Sequence, residues 1–459
     1  MFEREFAVEY TSSDVLLHVV NLCPHQEHLG ERINIDSGIK KYQVRNQQKF
    51  KERWINELTT QHFPNGQNLF HARGRTRHQK VMVVIDHYVP HFDQDAGSKS
   101  TYQYICLFLK MGYAVKFIGD NFYPHQPYTQ QLQDIGVEVL YGNWYNNNIH
   151  KWLKMESDNI DYIFANRSHI TAKYLKTFAK MNNTHVLYYG HDLGSLRNER
   201  KYQLSKNVSD LEASQQERDL ENSIWKVVDT VYYPSDVETK LVKQRMPATH
   251  ALTLPLNIYT PTRSNYTKSI ERRKDIIFVG GFGHPPNEEA VLWFLDNCWP
   301  KIHTAIPAAR FVCIGSKPSE LLQKRATQHI VITGWVSDET LVDWYSKARI
   351  VAAPLLHGAG IKGKVIEAIL HGVPLLMTSI AAEGLEGVDS CGIIANTAED
   401  FTMSLVNCYN DTGALKNFSE QTYEYIDQHF SEPKAMKVIE DGLRLDHKFR
   451  ANRKRRESD

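Results

Sequence analysis

The sequence predicts an α/β protein made of two doubly wound parallel sheets, and three observations predict it. From residue 80 onward, short continuous apolar runs alternate with helix-length amphipathic stretches, the pattern of βαβ units. The same pattern restarts after a polar stretch at 259–274. The offset from first to second strand is nearly equal in both halves: 81 to 114 is 33 residues, and 275 to 309 is 34. Each interval reads as one right-handed crossover.

Residues 1–79 form an appended N-terminal segment of unassigned fold. Within it, 15–22 is apolar, 40–60 reads as helical, and 66–79 carries turn residues and basic charge. VMVVID at 81–86 is a continuous apolar run closed by Asp86, as a central parallel strand covered on both faces requires. A loop at 87–100, a helix at about 101–111 and a second strand at 114–120 follow. Strands recur at 136–140, 162–165 and 185–189, so 80–258 is one Rossmann-like domain. A linker at 259–274 leads to a second Rossmann-like domain at 275–418. Its strands are 275–282, 309–316, 330–336, 350–356, 374–378 and 391–395, and its first helix opens on proline. Helices at about 419–429 and 434–443 fall in a C-terminal segment, 419–445, before a basic tail at 446–459.

A chain of 459 residues with 42% apolar and 23% charged residues is an ordinary globular protein of two or three domains. A net charge of +1 offers no global field for nucleic acid. The local run at 450–456 (RANRKRR) reads as a solvated tail or a peripheral membrane contact. The six cysteines, Cys23, Cys106, Cys298, Cys313, Cys391 and Cys408, show no CxxC or zinc spacing and read as buried thiols in a reducing compartment. The N-terminus lacks a signal-peptide pattern, and no run approaches ~20 apolar residues. The expected location is the cytoplasm, with the inner face of the membrane as the alternative.

Open α/β sheets bind ligands outside the carboxyl ends of their strands. The most informative stretch is 349–387, a strand, a glycine-rich turn and a helix start. Bare amides and the helix dipole favour an anion there, Gly358, Gly360 and Gly363 admit close approach, and Lys362 and Lys364 add charge suited to a diphosphate. The bland alternative is two solvated lysines. Glu367, one turn into the helix, is placed to accept bonds from sugar hydroxyls or is simply a first-turn glutamate. His191, oriented by Asp192, suits proton transfer or is a satisfied structural histidine. Asp95 is a site group or the cap of an Asx turn. Arg167 and Arg197 are bare candidates, His284 contacts a nucleotide or only begins a turn, and Trp293 and Phe294 read as core. No GxGxxG follows the first strand and no GxxxxGK[ST] occurs, which disfavours dinucleotide oxidoreductases and P-loop NTPases. No carboxylate pair has metal spacing, and lysines with a helix N-terminus can stabilise a diphosphate leaving group without one.

The runs at 278–294 (FVGGFGHPPNEEAVLWF), 307–316, 333–336, 353–368, 372–376 and 381–385 resemble the GT-B glycosyltransferases of family 4, the glycosyl transferases group 1. The loop at 87–100 and the run at 188–200 (YYGHDLGSLRNER) look like acceptor-domain motifs of one bacterial branch. The resemblance implies two Rossmann-like domains facing across a cleft, and a retaining, metal-independent transfer from a nucleotide-diphosphate sugar to an acceptor hydroxyl. The acceptor it suggests is a glycan or lipid-linked glycan of bacterial surface polysaccharide assembly. It needs no cofactor, and nucleic acid is not a partner. Lys362 and Lys364 would hold the diphosphate and Glu367 the ribose. Gly281 would let backbone approach the phosphates, with His284 beside it. His191 would lie by the donor sugar with Asp192 and Asp95 as further catalytic candidates, and Gly97 and Ser98 would sit where acceptor and phosphates meet. The family places a first glutamate eight residues before Glu367, where this chain has Ala359. Backbone amides there, including those of Gly360 and Ile361, would supply part of that role. The alternative is a non-catalytic GT-B-like subunit that binds a sugar nucleotide or glycan within a larger assembly complex.

Overall fold

The computed structural model describes residues 39–63, 70, 78–358 and 360–444. The apolar run at 15–22, Cys23, most of 66–79, Ala359 and the tail at 446–459 lie outside the described residues. Packing divides the chain into two compact units. One comprises residues 1–89, 108–163 and 179–184, the other 90–107, 164–178 and 185–459. Two parallel sheets run through the chain, a first of seven strands and a second of six.

In the first unit, the helical stretch expected at 40–60 is two helices, Ile39–Arg53 and Ile55–Gln61. Strands β1 (Val81–Asp86), β2 (Ala114–Gly119) and β3 (Glu138–Leu140) pair in parallel, with β2 between the others. Every residue of β1 is buried, as its unbroken apolar run requires. Lys116 on β2 is buried too. It is satisfied by an ion pair to Glu138 and sits 4.2 Å from the ring centre of Phe70.

The second unit holds most of β4 (Tyr162–Asn166, from residue 164 on) and all of β5 (His185–Tyr189), β6 (Thr230–Tyr233) and β7 (Ala251–Thr253), with β6 paired in parallel to β5 and β7. Neither β6 nor β7 stands out in the sequence, nor do the helices Gly194–Ser205, Val208–Val227 and Asp236–Arg245. Strands of four and three residues are too short to display a period, and the long helices carry weak apolar faces.

The second sheet holds β8 (Asp275–Val279), β9 (Arg310–Ile314), β10 (Ile330–Gly334), β11 (Ala348–Ala353), β12 (Leu375–Met377) and β13 (Gly392–Ile394). Their order is β10-β9-β8-β11-β12-β13. The winding therefore reverses between β8 and β11, the switch point at which open α/β sheets bind their ligands. Its core gathers Phe278, Phe294, Phe311 and Phe401. Phe294 is fully buried and Trp293 packs edge-on to Phe401, as read.

The polar stretch at 259–274 is less of a linker than its composition suggests. It contains the short helix Tyr266–Ser269, and Tyr266 is wholly buried with its hydroxyl donating to the Arg349 carbonyl. Arg273 is buried as well, with Nη1 donating to the Tyr345 and Ala348 carbonyls at 2.8 Å each. The last long helix starts at Thr412, earlier than 419, because Asp411 caps it by accepting from the Ala414 amide at 2.9 Å. The following helix, Glu432–Leu443, passes against β6. Thr230 Oγ1 donates to the Gly442 carbonyl at 2.9 Å, and a Cβ at 442 would fall 1.8 Å from the Tyr232 hydroxyl. Five cysteines are described and none is in a disulfide; all but Cys106 are buried. Among the described residues, no helix is long and apolar enough to cross a membrane.

Candidate functional site

The glycine turn leaving β11 sets the geometry. Gly358 and Gly360 take positive φ (143° and 70°), which a glycine adopts without Cβ strain. The turn delivers Lys362 as the N-cap of the helix Gly363–Leu370, and no side chain caps that start. Its first amides are therefore open to an anion.

Lys364 lies one residue inside. Its ammonium donates to Asn287 Oδ1 and sits 4.9 Å from the ring centre of Phe278. Asn287 Nδ2 donates to the Gly281 carbonyl at 2.8 Å, so Lys364 joins the two loops of the switch point. Gly280 is needed beside it: a Cβ there would stand 3.3 Å from Lys364 Cε and 3.0 Å from Asn287 Nδ2. Burial lowers the Lys364 pKa to about 8, and the neighbouring Lys362 charge pushes it the same way. Lys362 donates to the Gly360 carbonyl and lies 3.8 Å from Glu383. Burial lowers its pKa; Glu383 opposes that and Arg200 adds to it. Glu367 is held above the usual carboxylate range by burial, against the opposing pull of the Tyr345 hydroxyl and Lys99. Gly281 and His284 are both exposed, and His284 is the N-cap of the helix Pro285–Asn297 without capping it through its side chain. Ile361 is partly buried, and its Cγ1 would lie 3.3 Å from a Cβ at Gly384.

Other loops of the same unit carry the remaining candidates. Asp95 accepts from the Ser98 amide at 2.8 Å and from Ser98 Oγ at 2.7 Å, so it serves the start of the helix Ala96–Lys110. Gly97 is required by its neighbour, since a Cβ would stand 2.6 Å from Arg167 Nη2. Arg167 itself is in the left-handed region, at φ 63°. His191 Nε2 is 3.2 Å from Asn166 Oδ1, and its ring centre lies 4.9 Å from that of Tyr189. Asp192, read as the group that orients His191, instead forms an ion pair with Arg197. A carboxylate beside a guanidinium gains a charge-assisted bond that a neutral imidazole does not match.

Four further residues complete the neighbourhood and were not singled out from the sequence: Asn287, Arg200, Glu238 and Glu383. A pocket is lined by Asp192, Arg200, Glu238, Gly360 and Glu383 among others. Glu238 is buried and accepts from Ser235 Oγ at 2.8 Å and from the Leu193 amide at 3.0 Å. Burial pushes its carboxyl up to about 7. The Ser235-to-Glu238 spacing is a capping box and was legible as such. Arg200 ends the run 188–200 and Glu383 sits in the run 381–385, but nothing local marks them as partners. Among the described residues, no three His, Cys, Asp or Glu side chains gather as a metal site.

Residues 273–411 match the family Glycosyl transferases group 1. An uncharacterized 44.6 kDa protein in the cps region of Klebsiella pneumoniae is 25% identical over 195 residues, 40% of this chain and 50% of that protein. The match thus spans about half the length of that curated relative. Sucrose-phosphate synthase from Thermosynechococcus elongatus superposes with a TM-score of 0.55 at 14% identity, over 79% of this chain and 98% of its own. HepE of Anabaena, solved with UDP-glucose, superposes with a TM-score of 0.51 at 13% identity, over 80% of this chain and 100% of its own. At such identities the likeness establishes the fold, which is GT-B.

Proposed function

We propose that this chain, which has a GT-B fold and whose residues 273–411 match the glycosyl transferases group 1, moves a sugar from a nucleotide-diphosphate donor to an acceptor hydroxyl. One arrangement carries the reading. Two largely desolvated ammonium groups, Lys362 and Lys364, stand at an uncapped helix start on the switch point of the second sheet. Desolvated cations there bind an anion more strongly than solvated ones, because little water competes with the ligand. The UDP-glucose bound by HepE supports a nucleotide-sugar donor. The cps-region relative supports a place in bacterial surface polysaccharide assembly.

In this reading the diphosphate lies against Lys362, Lys364 and the first amides of the helix. Gly281 and Gly360 admit it by backbone, Ile361 supplies an amide, His284 lies beside the nucleotide, and Glu367 accepts from the ribose. His191 stands next to the transferred sugar, with Asp192 and Asp95 as acceptor-side groups and Gly97 and Ser98 lining the acceptor loop. Charge developing on the departing diphosphate is met by the lysines, so the transfer is metal-independent. Diphosphate held on the sugar face assists deprotonation of the acceptor, and the product retains configuration. The acceptor is a glycan or lipid-linked glycan, and the reaction takes place in the cytoplasm or at the inner face of the membrane.

Thermal-shift measurements with UDP, GDP, dTDP and CDP identify the base, since a ligand at 100 Kd adds about 2.7 kcal/mol. Release of that diphosphate from its sugar nucleotides then tests transfer. Stabilisation without release would turn the chain into a binding subunit, and no stabilisation by any of the four would defeat the reading.

A further inference from the structure

Glu383 is shared between two cations. It takes a two-pronged contact from Arg200, with Nη1 to Oε2 at 2.8 Å and Nη2 to Oε1, while Lys362 Nζ stands 3.8 Å from Oε2. All three side chains are half-buried or better shielded; that of Lys362 is 11% exposed and that of Glu383 17%. The loop that carries Glu383 cannot swing freely. Gly384 is in the left-handed region, and a Cβ on it would meet Ser235 Cβ at 2.8 Å. Arg200 belongs to the helix Gly194–Ser205, which follows the first sheet's β5, and Lys362 belongs to the donor turn. The charged groups acting on Lys362 are Glu383, Arg200 and Glu238, with Lys364 two residues on.

We infer that Glu383, clamped by Arg200, is a positioning residue that fixes the place and charge of Lys362 at the donor diphosphate. The inference rests on the proposed diphosphate site. Physically, Arg200 neutralises Glu383, so the carboxylate steers the ammonium without repelling an incoming anion. Removing Arg200 leaves a bare carboxylate beside the diphosphate position. Removing both charges restores the balance.

Two measurements on the full chain test it, each on Arg200→Gln, Glu383→Gln and the double variant. Isothermal titration with inorganic pyrophosphate should show Arg200→Gln binding about tenfold more weakly, with near wild-type affinity restored in the double variant. Trace acetylation at pH 8, read at Lys362 by fragment mass spectrometry, should rise severalfold in Glu383→Gln and fall in Arg200→Gln. Loss of the carboxylate favours the free amine, and loss of the guanidinium favours the ammonium. A brace that is merely structural would move both singles in one direction and leave the double variant no better than either, which would overturn the inference. Opposite shifts in acetylation with no wild-type pyrophosphate binding would leave the positioning pair standing and remove the diphosphate site.

Discussion

Lys364 is tied to Asn287: its ammonium donates to the Asn287 side-chain oxygen, and the nitrogen of the same amide donates to the Gly281 carbonyl at 2.8 Å. One amide therefore fixes both the cation and the backbone of the loop opposite it. The arrangement orders the site before a ligand arrives, which lowers the cost of organising it on binding.

On the proposed diphosphate site, Lys364→Ala should reduce turnover by about a hundredfold or more while leaving the fold intact, because there it would remove charge that is worth most at the leaving group. Asn287→Ala should act more mildly and chiefly through a raised KM for the donor, about tenfold, since the cation stays but loses its place. Steady-state kinetics on both variants, with melting temperatures as the control, separate the two roles. Equal losses in both would refute the division of labour.

The depressed pKa of Lys364 has a definite pH signature. Its folded value is about 8 against an ordinary 10.5, so between these limits the unfolded chain holds a proton that the folded chain has released. Stability contributed by this group therefore rises with pH from about 8 toward about 10, where ionising tyrosines of the unfolded chain begin to oppose it. Anion binding runs the other way and weakens above about pH 8. Titration of pyrophosphate at pH 8.5 in buffers of different ionisation enthalpy should reveal proton uptake on binding, and the uptake should be missing in Lys364→Ala. Equal uptake in that variant would assign the proton to another group.

What the sequence disclosed follows from what is local. β1 and β8 are unbroken apolar runs because parallel central strands are covered on both faces, and Gly358, Gly360, Lys362 and Lys364 lie within seven residues of one another. β7, with three residues, carries no period to read. Tyr266 hides in a polar stretch because Arg273 and Arg349 beside it are spent on buried carbonyls and on its own ring. The pairing of Asp192 with Arg197 was equally invisible, since side-chain choice depends on a helix, Gly194–Ser205, whose weak apolar face left it unassigned. Glu383 and Arg200 are 183 residues apart, and only the folded chain brings them together.

Two glycines with nearly the same backbone offer a controlled comparison. Gly360 has φ 70° with nothing within 4 Å of a would-be Cβ, whereas Gly384 has φ 76° and a Cβ there would press on Ser235. Gly360→Ala should cost only the left-handed backbone penalty, about 1 kcal/mol, and Gly384→Ala that penalty plus a clash, about 2–4 kcal/mol in all. Denaturant unfolding of the two variants reads the difference directly. Equal losses would show that the loop at 384 yields.

Glu238 supplies the opposite pH signature from Lys364. Burial raises its carboxyl to about 7 from the ordinary 4.5, outweighing the bonds from Ser235 and Leu193 that favour the anion. Between these values the folded chain holds the proton more tightly than the unfolded one. Its contribution is thus fully present below about pH 4.5 and is lost as pH rises through about 7. Glu238→Gln, neutral at every pH and close in shape, should abolish that dependence, so the stability gap between variant and wild type should widen in the variant's favour from pH 5 to pH 8. The substitution keeps one acceptor for the Leu193 amide, so loss of that bond should not mask the trend. Chemical denaturation at three pH values is enough to decide it, and a gap that stays constant would place the titrating group elsewhere.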